Sequence, residues 1–205
     1  AAKAVSTGAA SGSAPTQAQL AALGITGVTA DNLAAIQQAI AGTADDGSAV
    51  DTLAELQAVV TAAANAQAAA LAKISAAAEA DSATASSPAL TDYTAAGVTG
   101  VTAANLGAIN SALDTAAVNG VAVDTTAEVQ ALVDAYNAVL TAADGTADGD
   151  AGATQAQYGL LGVTGLDTPA TSLLNSVVDK SPTTAVDTVP ELQALADAAK
   201  AVSTG

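Results

Sequence analysis

This chain has no cysteine, histidine, methionine, phenylalanine or tryptophan, and its four basic residues, Lys3, Lys73, Lys180 and Lys200, leave no arginine. Without cysteine there is no disulfide framework and no redox test of compartment. Without histidine or cysteine the commonest general base, the thiolate nucleophile and most zinc ligand sets are missing. Lys180–Ser181 is the one adjacent pair that pairs an amine with a hydroxyl nucleophile. It stands just before Pro182, in a stretch that reads as a loop between helices, so it reads as a solvated lysine. No enzymatic activity is expected.

Twenty acidic residues, sixteen of them Asp, outweigh the lysines to give a net charge of −16. Nucleic acid and anionic membranes both need a cationic surface, so neither is an expected partner. The longest Ala-rich run, Thr61–Ala80, is broken by Asn65, Gln67, Lys73 and Glu79, and membrane insertion is not expected from it. Aromatics are reduced to Tyr93, Tyr136 and Tyr158. Leu, Ile and Val must therefore supply the core, at about 1.5–3 kcal/mol for each side chain buried.

What the chain does have is repetition. AAKAVSTG at Ala1–Gly8 returns unchanged at Ala198–Gly205, so the chain reads as one period of 197 residues from a longer tandem array, with a short overlap. Inside the period one phrase occurs three times, as GITGVTADNLAAIQQAI from Gly24, GVTGVTAANLGAINSAL from Gly97 and GVTGLDTPATSLLNSVV from Gly162. A second phrase follows each: VDTLAELQAVV from Val50, VDTTAEVQALV from Val123 and VDTVPELQALA from Val186. From the first Gly to the Gln of the second phrase the spacing is 33, 33 and 31 residues. Length varies mainly outside that interval, which places the module boundaries there.

Each repeat reads as three helices. The third helices begin at Thr52–Glu55, Thr125–Glu128 and Thr188–Glu191, all with capping-box spacing. Val50, Val123 and Val186 are placed to pack on Leu56, Val129 and Leu192, and Pro190 falls in a first turn, where its missing amide costs nothing. The middle helices are expected to start at the N-caps Thr29, Thr102 and Asp167 and to carry the stripes Leu33, Ile36, Ile40 and Leu106, Ile109, Leu113. The third repeat keeps Leu174 and Val178 but has Thr171 where the first has Leu33. Short first helices over Thr16–Leu23, Thr91–Ala96 and Thr154–Leu161 are expected to end at left-handed Gly24, Gly97 and Gly162.

The expected fold is all-α, a tandem array of three small three-helix bundles joined end to end. Residues 1–14 are expected to be the tail of a preceding repeat's last helix with its linker, and the modules to cover 15–80, 88–143 and 153–205. Linkers are expected at Gly8–Ala14, Asp81–Ser87 and Asp144–Gly152, and a turn at Asp45–Gly47. The third helix of the first module runs on to about Ala80, roughly 43 Å at about 1.5 Å per residue. It reads either as a strut docking Leu71 and Ile74 on the next unit or as a frayed helix and linker.

One constellation has ligand spacing. Asp144, Thr146 and Asp148 stand at positions one, three and five of an EF-hand-like loop with Gly149 at six and Asp150 beside it, but position twelve is Gln155 in place of a bidentate Glu. The segment reads first as an acidic linker, and as a calcium site only of millimolar strength or weaker. Glu55, Glu128 and Glu191 recur as caps and not as a catalytic pair. Tyr93 and Tyr158 align with Leu20 and read as core, while Tyr136 aligns with Ala63 and is less determined.

The phrases GITGVTADNLAAI, GVTGVTAANLGAI and VDTTAEVQALVDAYNAVL resemble the Ala/Thr-rich repeats of very large secreted bacterial adhesins and biofilm-matrix proteins, among them repeats similar to the three-helix albumin-binding module. That resemblance implies export, an extracellular or cell-surface location, and a stalk between the cell and a distal binding domain. Albumin binding does not carry over, because no ligand-contacting position matches. The function expected is a structural extender whose partners are neighbouring repeats of the same chain. The alternatives are a filament or sheath subunit assembling laterally and a helical protein-binding module.

Overall fold

A computed structural model describes residues 14–43, 48–79 and 87–204. The expected array tail over 1–14, the linkers Gly8–Ala14 and Asp81–Ser87, and the Asp45–Gly47 turn lie outside the described residues, apart from Ala14 and Ser87. The described residues are all-α, with nine α-helices, two short 3-10 turns and no strand. In chain order these are α1 Gln17–Ala22, α2 Leu33–Ala41, α3 Leu53–Glu79, α4 Leu90–Ala95, α5 Leu106–Leu113, α6 Thr126–Ala142, α7 Gln155–Leu160, α8 Thr168–Val178 and α9 Val189–Thr204. The 3-10 turns, Gly120–Val123 and Thr183–Ala185, precede α6 and α9.

Local chemistry starts these helices. The Thr52, Thr125 and Thr188 amides donate to the carboxylates of Glu55, Glu128 and Glu191 at 3.0, 3.1 and 3.1 Å. The Glu55 and Glu128 amides return a bond to the threonine hydroxyl at 3.2 and 3.3 Å. The first helices use the same box with glutamine, Thr16 with Gln19 and Thr154 with Gln157. Asp167 caps α8 by accepting the Ala170 N–H at 3.0 Å.

Thr29 and Thr102 act differently from the expected N-caps. Each makes a reciprocal pair with an asparagine three residues on, Asn32 or Asn105, and that pair closes one turn ahead of the regular helix. The helices themselves begin at Leu33 and Leu106. The asparagine amides reach back to the Gly27 and Gly100 carbonyls at 2.8 Å, which holds that extra turn closed.

The first helices stop as expected. Gly24, Gly97 and Gly162 have φ of +82°, +78° and +85°. Around each, the next residue donates back across the end: Ile25 to Leu20, Val98 to Tyr93 and Val163 to Tyr158, at 3.1, 3.0 and 3.0 Å. This is the Schellman pattern, and all six of those residues are buried.

The chain divides into two compact units, Ala1–Ala72 with Thr91–Val98, and Lys73–Leu90 with Thr99–Gly205. Of the three borders, Ala72/Lys73 falls inside α3, Leu90/Thr91 after the first residue of α4, and Val98/Thr99 in the turn that follows α4. In the first unit Leu20, Ile25, Ile36, Ile40, Val50, Leu56 and Val60 form one cluster drawn from α1, α2, α3 and the segments that follow α1 and precede α3. Gln67, also buried, donates to the Asp31 carbonyl at 2.7 Å.

In the second unit α8 packs along α9 and α7 against α6. Ile109, Val129, Tyr136, Val139, Tyr158, Leu161, Leu174 and Leu192 are all fully buried there. The last turns of α3 belong to this unit: Ile74 is fully buried, the Ser75 hydroxyl donates to the Gly120 carbonyl at 3.0 Å, and the Gly120 N–H donates to Glu79 at 2.8 Å. α3 is continuous to Glu79, with Leu71 only half-buried.

Candidate metal centre

Asp144, Asp148 and Asp150 lie in the segment between α6 and α7, and one carboxylate oxygen from each falls within 4.8 Å of the others, all three side chains being exposed. Gly145 and Gly149, at φ of +85° and +87°, turn the backbone so that the three carboxylates face one another. The Thr146 N–H donates to Asp144 Oδ1 at 2.7 Å, and its hydroxyl bonds the same oxygen. These bonds, the hydroxyl first, hold the Asp144 carboxyl below its usual range. The Asp148 charge, followed by desolvation and then by Asp144 and Asp179, raises Asp150. A bound cation would relieve that crowding of like charge.

The rest of the expected loop is turned to other work. Gln155, at position twelve, is the first residue of α7, and its amide donates to the Leu166 carbonyl at 2.8 Å. The hydroxyl of Thr146, at position three, is hydrogen-bonded to the carboxylate it would accompany. Three exposed oxygen groups without a bidentate partner suit a weak, exchangeable divalent ion.

The segment that contains them is strapped to the chain. Asp144 forms an isolated antiparallel bridge with Pro182. The Gly149 and Asp150 amides donate to Oδ1 of the buried Asp179 at 3.2 and 3.1 Å. Beside the loop a cleft of about 290 Å³ is bordered by Asp150, Ser172, Asn175, Ser176 and Asp179. Asn175 is engaged at both ends, accepting from the Tyr158 hydroxyl at 2.8 Å and donating to the Ala153 carbonyl at 3.0 Å.

The other candidates resolve into structural roles. Ser181 donates its hydroxyl to the Val177 carbonyl at 2.8 Å, at the end of α8. All three tyrosines are fully buried. The Tyr136 hydroxyl donates to the Val186 carbonyl at 3.2 Å, and burial pushes its pKa up to about 12. Desolvation raises Tyr93 and Tyr158 in the same direction.

Two sets of side-chain clamps recur in the three repeats. Gln57, Gln130 and Gln193 each accept a threonine N–H, from Thr26, Thr99 and Thr164, at 2.9 Å, and donate to the same threonine's carbonyl at 3.1–3.2 Å. Gln37, Asn110 and Asn175 reach back 22 residues to the carbonyls of Pro15, Pro88 and Ala153 at 2.9, 3.0 and 3.0 Å. The nearly fixed Gly-to-Gln spacing, 33, 33 and 31 residues, is the sequence signal for the first set, though spacing alone does not name the bond. The chain matches no protein-family model, no curated protein and no solved structure.

Proposed function

We propose that this chain is a structural extender, a segment of the stalk of a large repetitive protein of the bacterial cell surface or extracellular matrix, built from three consecutive three-helix modules. The observation that carries this reading is the recurrence of one bonding plan, the Gln–Thr clamp with the left-handed glycine beside it, in all three repeats. The Asp144, Asp148 and Asp150 cluster stands once, between α6 and α7, whereas the chemistry that the three repeats share is conformational. The excess of Asp over Lys keeps neighbouring stalks apart.

The filament and protein-binding readings both need a contiguous apolar surface. Leu53, Leu90, Val121, Leu160, Val177 and Val202, the large exposed apolar side chains among the described residues, belong to six different elements. Small-angle scattering on chains of one, two and four periods tests the extender. The maximum dimension should grow by a constant increment for each period, with no dependence on concentration. Growth that saturates overturns the reading, and concentration-dependent assembly turns it toward the filament.

A further inference from the structure

We propose that Asn119 is a modification site, an asparagine that deamidates through a cyclic imide closed by the Gly120 nitrogen, with Glu79 setting the rate by its hold on the Gly120 N–H. In that reaction the Gly120 nitrogen loses its proton and attacks Cγ of Asn119, and ammonia leaves. Water then opens the ring at either carbonyl. The products are aspartate and an iso-linked aspartate whose main chain runs through the side-chain carbon.

The sequence singles out the pair. Of the seven asparagines only Asn119 is followed by glycine, the residue that leaves the attacking nitrogen least hindered. Gly120 cannot be exchanged for a bulkier, slower neighbour: a Cβ there would lie 2.8 Å from the Ser75 carbonyl oxygen and 2.6 Å from Cγ of Glu79. Asn119, by contrast, is exposed and caps the 3-10 turn, its Oδ1 accepting the Ala122 N–H at 3.2 Å. Aligned on Gln130 and Gln193, the third repeat builds the corresponding turn from Pro182 and Thr183, so the turn itself does not call for asparagine.

The folded chain holds the reaction in check. The Gly120 N–H donates to Glu79 Oε1 at 2.8 Å, and a carboxylate there opposes loss of the proton, since the amide anion that would form is a like charge. The Ser75 hydroxyl holds the Gly120 carbonyl at 3.0 Å, and Gly120 is buried. The bond from Ala122 to Asn119 Oδ1 restricts the rotation that brings Cγ to the nitrogen. Conversion therefore runs through the open form, at a rate set by how often these bonds part.

Its product is not neutral to the fold. The iso-linkage lengthens the main chain just ahead of Gly120, which lies too close to Ser75 and Glu79 to absorb the shift. Either product also places a new negative charge one residue from the group that Glu79 binds. Conversion thus loosens the hold of the last turns of α3 on the segment that leads into α6.

The test follows aspartate and isoaspartate at residue 119 by peptide mapping of the full chain during incubation in mildly alkaline buffer. In guanidinium chloride Asn119 should convert ahead of the other six asparagines, and at least about tenfold faster than in the folded chain. Glu79→Ala should speed the folded reaction by about fivefold or more, and Glu79→Gln, which keeps an acceptor oxygen, should fall between it and the parent. Gln193→Ala removes a clamp elsewhere in the same unit, so it should leave the rate at residue 119 unchanged. An asparagine other than Asn119 leading in denaturant removes the site. A folded parent as fast as the unfolded chain, a Glu79→Ala rate equal to the parent's, or a Gln193→Ala rate equal to that of Glu79→Ala overturns the control by Glu79.

Discussion

Gln57 holds Thr26 by both edges of its side-chain amide, accepting the Thr26 N–H at 2.9 Å and donating to the Thr26 carbonyl at 3.1 Å. Thr26 lies between Gly24 and Gly27, both at positive φ, where no regular helix pairs its backbone. The glutamine supplies the missing partners and ties the turn after α1 to the first turns of α3. Any insertion between the two phrases must still let the amide reach, which accounts for the near-constant spacing.

Removing one clamp should therefore loosen one repeat. Gln130→Ala deletes both bonds to Thr99. The freed groups are exposed and regain water, so the expected loss is about 1 kcal/mol, read as a lower denaturant midpoint at constant slope. An unchanged midpoint would show that the clamp only decorates a turn held by its glycines.

Gly24→Ala and Gly162→Ala separate backbone strain from packing. Both positions have φ above +80°, so each substitution carries a left-handed penalty of about 1–2 kcal/mol. Only at Gly162 does the new methyl meet a neighbour, Thr115, so its total should reach about 3 kcal/mol. Equal losses in thermal unfolding would contradict the close approach at Gly162.

Acid should weaken the second unit through Asp167. The hydrogen bond from Lys200, followed by that from the Ala170 N–H, lowers the Asp167 carboxyl in the folded chain. A lowered folded value contributes stability above the ordinary carboxylate range, and that stability is lost as pH falls through the folded value. Glu128, lowered chiefly by the Thr125 hydroxyl, acts in the same direction. Asp167→Asn keeps a capping acceptor but removes the charge, so its melting midpoint should fall less steeply with acid than that of the parent. Parallel acid limbs would refute the Lys200 linkage.

Calcium should bind only weakly. Titration calorimetry on the full chain is expected to show no saturable site tighter than about millimolar, since Asp144, Asp148 and Asp150 lack a bidentate fourth partner. A micromolar site abolished by Asp144→Ala with Asp148→Ala would make the strapped segment a metal joint.

Much of the local structure was legible because its bonds close within about one turn. The Thr–Glu boxes and the left-handed glycines follow from short-range spacing, and the buried Tyr93 and Tyr158 from their alignment with Leu20 across the repeats. Thr29 shows how such reading slips: its bond partner Asn32 lies three residues on, as a capping box requires, yet the pair closes a separate turn and the helix starts at Leu33. The candidate site was legible as a list of carboxylates. Its straps were not, because Asp179 and Pro182 lie some thirty residues or more from the groups they hold.

By itself the sequence determined the starts of α6 and α9 and the glycine ends of the first helices, since capping boxes and positive-φ glycines depend on neighbours a few residues away. It also aligns the three occurrences of each phrase. Only the tertiary structure decided which partner each polar side chain takes: Gln57 with Thr26, Glu79 with Gly120, Tyr136 with Val186. The physical reason is that a buried or half-buried donor bonds to whatever backbone group chain closure brings within reach, and closure is set by how apolar faces pack together, which no local pattern encodes.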